Sequence, residues 1–96
     1  MNKNVVHGEY DQWSMVVIYD PKTGHIVHRH EVVTLRGGTH PDQATIEKQA
    51  AHQLMHVRKI SVERLAFLSV DPREVDGDTR YVVDVASRTL KPAPKA

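Results

Sequence analysis

The segment WSMVVIYD, residues 13–20, constrains this chain more than any other stretch. Its aromatic and β-branched residues favour a strand. Successive strand side chains point to opposite faces. Trp13, Met15, Val17 and Tyr19 therefore share one face, and Val16 and Ile18 share the other. Both faces are apolar, which is the pattern of a strand buried on both sides. A fold built around it needs two covering layers. A chain of 96 residues suits one domain with one modest core, burying roughly 60–68% of its unfolded surface.

A turn and a second strand come next, giving a hairpin. In DPKTG, residues 20–24, Pro21 presets φ, Asp20 can bond the turn backbone and Gly24 can take positive φ. HIVHRHEVVTL, residues 25–35, is then the return strand. RGGTHPD breaks the pattern and opens a helix expected over 40–60. Two starts fit: Thr39 with Asp42 three residues on, similar to a capping box, or His40 at the N-cap with Pro41 first in the helix. Ile46, Ala50, Leu54, Val57 and Ile60 fall at helical spacing and form its core face. Further strands are expected at 64–71, 79–86 and 89–91.

The order strand, strand, helix, strand, strand gives an α+β domain of ββαββ type. The expected architecture is one antiparallel sheet of four to five strands with the helix packed on one face. Residues 1–12 read as a flexible lead-in, 13–91 as the domain and the proline-broken 92–96 as a disordered tail.

One helix covers one face of such a sheet. The second apolar face then calls for a homodimer or a protein partner, with the lead-in or tail folding across it as the competing explanation. On this reading the interaction residues are Trp13, Met15, Val17 and Tyr19. Met55 joins them from a strip of Ala44, Ala51 and Met55 that flanks the helix core face at ~140–180°.

Six of the seven histidines lie between residues 25 and 56. His28 and His30, two apart, share a strand face, and His52 and His56, four apart, share a helix face. Together they could form a metal site, or a pH-responsive one. Helix geometry opposes convergence. With Ile46 at 0° and ~100° per residue, the core face centres near 20–40°, while His52 and His56 lie at ~240° and ~280°. The strand pair lies beneath the core face and the helix pair points away from it. The expectation is surface histidines, no bound cofactor, and self-association that weakens as the histidines protonate.

Other chemistries leave weaker traces. There is no cysteine, which removes disulfides, thiolate nucleophiles and cysteine-bound metals. No serine sits in a GxSxG context. Asp71, Glu74, Asp76 and Asp78 lack calcium-loop spacing. Arg36, Gly37, Gly38 and Thr39 could hold an anion if the helix N-terminus lies beside them, although Gly-Lys-Ser/Thr is missing. A formal net charge of +1 and no arginine-rich stripe speak against nucleic acid. No apolar run suits a signal peptide or a membrane span, so a cytoplasmic location is expected. These observations converge on a small non-enzymatic protein-interaction domain, homodimeric, with the histidine site and the phosphate or nucleic-acid site as alternatives.

Overall fold

The computed structural model describes residues 10–94, with side chains from residue 12 onward. The chain is α+β, with one α-helix and two separate antiparallel sheets. β1 (Tyr10–Tyr19) and β2 (Ile26–Leu35) form the first hairpin, α1 spans Gln43–Arg58, and β3 spans Ala66–Val70. A 3₁₀ turn at Pro72–Glu74 precedes β4 (Tyr81–Asp84) and β5 (Thr89–Pro92). The larger sheet has the order β2-β1-β3, and β4 pairs with β5 alone.

The single sheet of four to five strands is thus corrected to two sheets. The hairpin of β4 and β5 lies on the sheet face opposite α1, and this supplies the second cover. Val16 and Ile18 pack against Ile46, Ala50 and Leu54 of α1. Val17 and Tyr19 pack against Val83 of β4, with Leu68 and Leu90 beside them. Every residue of β1 from Met15 to Tyr19 is buried within the one chain. Neither a second copy nor the segments outside the described residues is needed to cover them.

The first turn positions the covering hairpin. Asp20 O accepts from Thr23 N–H at 3.2 Å and from Gly24 N–H at 2.7 Å, and Asp20 Oδ1 accepts from Lys22 N–H at 2.8 Å. Gly24 has φ +81°, and its carbonyl accepts from Val83 N–H at 2.8 Å. A Cβ at Gly24 would collide with the Val83 carbonyl. Glycine is required there for both conformation and close approach.

The helix is shorter than 40–60. Its N-cap is Asp42, whose Oδ1 accepts from Thr45 N–H at 2.8 Å, so neither Thr39 nor His40 caps it. Asp42 is the residue that can present an acceptor while its own backbone stays extended. At the other end Lys59 takes left-handed backbone with φ 60°. Its N–H and that of Ile60 both reach Leu54 O. This turns Ile60 back onto the core. Val57, expected in the core, is instead 75% exposed. It lies in the last turn of α1, and Ile60, brought back by the left-handed cap, packs on the core at that end instead.

The ends of the domain also shift. Residues 10–12, placed in the lead-in, belong to β1, and residues 1–9 lie outside the described residues. Pro92, placed in the tail, closes β5, and Ala93 N–H bonds Arg80 O at 2.8 Å. Residues 95–96 lie outside the described residues.

Candidate functional site: the outer edge of β2

β2 is an edge strand of ten residues. Its register against β1 pairs Val16 with His30, Val17 with Arg29, Met15 with Glu31 and Trp13 with Val33. A bulge leaves Val27 as the extra residue between His28 and Ile26. Backbone groups in an antiparallel ladder point alternately toward and away from the neighbour. Asp20 N–H bonds His25 O at 2.9 Å, which fixes the alternation. Ser14, Val16 and Ile18 face β2, and Met15, Val17 and Tyr19 face β3. On β2, His28, His30 and Val32 therefore face β1, while Arg29, Glu31 and Val33 direct N–H and C=O outward.

Among the described residues no strand pairs with that outer edge. At one end of it, Arg58 of α1 donates to Val27 O at 2.8 Å. The opposite edge of the sheet carries a matching pin, from Arg88 to Phe67 O at 2.9 Å. Outward carbonyls that meet a guanidinium are satisfied without a further strand. From Arg29 to Val33 the β2 edge has no such pin among the described residues. Two side chains of opposite charge stand there on the hairpin side of the sheet, Arg29 and Glu31. Trp13 Nε1 donates to Glu31 Oε1 at 2.9 Å and holds that carboxylate in place.

The residues proposed for interaction divide. Met15, Val17 and Tyr19 are buried within the chain, Val17 and Tyr19 against Val83 of the β4–β5 hairpin. Trp13 is half-buried on the hairpin side of the sheet, and Met55 is 47% exposed on the helix side. These two stand on opposite sides of the molecule and form no joint patch. Val33, opposite Trp13, is 39% exposed and Leu35 58% exposed. They extend the accessible apolar surface along the end of β2.

The four histidines do not gather. His28 and His30 face α1 from β2. His30 Nε2 lies 3.4 Å from Gln49 Oε1, and His28 Nε2 is buried without a hydrogen-bond partner among the described residues. His52 and His56 stack on the exposed helix face with ring centroids 4.0 Å apart. Among the described residues no three His, Asp or Glu side chains are placed to hold one metal ion. Burial holds the His28 pKa below its ordinary 6.5, and His30 and Arg58 push it the same way. Its ring therefore holds the neutral form more strongly than a free imidazole does.

The anion site also loses its geometry. Arg36 and Gly37 form a turn closed by Gly38 N–H to Leu35 O at 2.9 Å. The helix begins only at Gln43, and the cap ahead of it is a carboxylate. Hydrogen bonding to Thr45, from its side chain first and its N–H second, holds the Asp42 pKa below its ordinary 3.8, so this end of the helix carries negative charge. Gly37, Gly38 and Thr39 are thus separated from the dipole that would attract a phosphate.

Sequence reasoning missed the role of His40. One ring nitrogen lies 2.8 Å from Ser14 Oγ, the other 2.7 Å from Thr34 Oγ1. The ring ties the loop before α1 to both strands of the first hairpin. Serine and histidine here resemble a nucleophile and its base. The third partner is a neutral threonine, which cannot stabilise an imidazolium as a carboxylate does. Nothing local in the sequence marked this link, since the three residues are brought together by strand register and a loop.

The acidic loop is a set of turns. Asp71 Oδ1 caps the 3₁₀ turn through Arg73 N–H, and Asp76 accepts from Asp78 N–H and Thr79 Oγ1. A shallow groove of about 230 Å³ runs between the two sheets, lined by Leu68, Val70, Asp71, Glu74, Tyr81 and Leu90. No helix among the described residues is long and apolar enough to cross a membrane. No protein-family model matches the chain, and comparison with curated proteins and with solved structures finds no match.

Proposed function

We propose that this chain is a small non-enzymatic protein-interaction domain that docks by backbone pairing along the outer edge of β2. The observation that carries this reading is the run of outward N–H and C=O groups at Arg29, Glu31 and Val33 with no strand beside it among the described residues. An added strand gains its affinity from such main-chain bonds and its selectivity from alternate side chains. The open edge ends at accessible apolar side chains, Val33 and Leu35, which favours a partner with both polar and apolar contacts. Several chemistry-bearing residues elsewhere are engaged in structural roles: His40 in a loop latch, Asp71 and Asp76 in turns, Asp42 in a helix cap.

Residue-resolved hydrogen exchange tests the reading. In a sample dilute enough for light scattering to give the monomer mass, the amides of Arg29, Glu31 and Val33 should exchange freely. Those of His30 and Val32 should stay protected by β1. Equal protection of the two sets in the monomer would mean the edge is closed, and the reading would fall.

A further inference from the structure

We infer that the strand that docks on β2 is β2 of a second copy, paired antiparallel about a two-fold axis through His30. The inference rests on the edge-docking reading and names its occupant. The argument is charge complementarity along the edge. Arg29 and Glu31 are the two outward-directed positions at the middle of β2, two residues apart, and they carry opposite charge. In a two-fold antiparallel pair centred on His30, Arg29 of each copy faces Glu31 of the other. The same contact is made twice, as an isologous interface requires. Directly opposed residues sit close enough for their side chains to interact, and opposite charges there stabilise.

The charges also select the register. Outward backbone groups recur every second residue, so neighbouring hydrogen-bonded registers place the axis one residue to either side. An axis at residue 29 sets Arg29 against its own copy, and an axis at residue 31 sets Glu31 against its own copy. Both juxtapose like charges, which destabilises. The register centred on His30 joins Arg29 only to Glu31, with the His30 side chains of the two copies facing each other across the axis. Charged residues on an edge commonly discourage pairing; arranged this way they discourage every neighbouring register and reward one.

Trp13 adds preorganisation. It bonds Oε1 of Glu31 at 2.9 Å. Oε2 of the same carboxylate can then accept from the guanidinium of the second copy. The carboxylate is fixed before docking, which lowers the ordering cost of the ion pair. The two copies would form one continuous sheet with both helices on the same side, because a two-fold axis normal to the sheet preserves its faces.

A charge-swap series read by sedimentation equilibrium on the full chain tests this. Wild type should associate reversibly to dimers. R29E sets a glutamate against Glu31 of the second copy, and E31R sets an arginine against Arg29. Each should weaken association by about tenfold or more. The double variant R29E/E31R restores unlike pairs and should recover dimerisation to within a few-fold of wild type. Wild type that stays monomeric at millimolar concentration would overturn the inference. So would dimers indifferent to the single reversals, which would point to another surface. So would a double variant no better than the singles. A monomeric wild type whose Arg29 and Glu31 amides exchange freely would remove only the second copy as occupant and leave the edge-docking reading standing. Protection of those amides in the monomer would remove both.

Discussion

The two faces of the large sheet are covered in different ways. On one, a helix of 16 residues buries Ile46, Ala50 and Leu54 against Val16 and Ile18. On the other, a hairpin of two four-residue strands buries one side chain, Val83, against Val17 and Tyr19. The helix needs no particular backbone contact with the sheet, since its stripe of side chains suffices. The short hairpin holds on through a backbone bond as well, from Val83 N–H to Gly24 O. A small cover depends on a fitted attachment where a large one depends on area.

Four substitutions and one titration sharpen or break that comparison. Leu54 is fully buried beneath the helix, and Leu54→Ala should cost about 4 kcal/mol in denaturant unfolding. His52→Ala, on the exposed face of the same helix, should cost less than ~0.5 kcal/mol. Similar large losses from both would mean that the helix is held by more than its inner face.

Gly24→Ala should follow at about 3 kcal/mol, because alanine is strained at φ +81° and its Cβ collides with the Val83 carbonyl. If the comparison holds, the loss appears first as faster amide exchange in β4 and β5, with α1 still protected. Uniform loss of protection across the chain would show the two covers to be one cooperative unit. Val83→Ala deletes the hairpin's one fully buried side chain and should cost about 2 kcal/mol, with m unchanged.

The smallest effect is a titration on the helix side. The folded-state pKa of His28 lies below 6.5 through burial, with His30 and Arg58 facing it. As pH falls below the unfolded value, the unfolded chain binds a proton that the folded chain refuses. The stability from neutral His28 is therefore full above pH 6.5 and is lost as pH falls through the lowered folded value. Melting temperature should drop between about pH 7 and pH 5 by a few degrees more in wild type than in His28→Gln. Superimposable profiles would show that His28 does not feel its burial.

Much of the helix-covered face could be read from residue order. Ile46, Ala50 and Leu54 announce their shared face by spacing, and Asp20 to Gly24 announce a turn by residue chemistry. The hairpin-covered face could not. VVDV and TLKP read as strands, but a strand's pattern does not name the sheet it joins. The β2 edge was half legible. The alternation of Arg29 and Glu31 is visible in the letters, yet it gains meaning only when β2 proves to be an edge. The histidine pairs gave the opposite lesson: their spacing suggested a site, and the angular positions on the helix already separated them.

By itself the sequence determined that residues 15–19 must be buried on both faces, because an unbroken apolar run in a strand leaves neither side for water. It also determined one amphipathic helix and the turn at Gly24. Only the tertiary structure decided what covers the second face, since that rests on contacts between Val83 and Gly24, far apart in the chain and unmarked by any local period. The same holds for the edge of β2. Which backbone groups lack a neighbour is a property of strand order, and strand order is set by packing across the whole molecule.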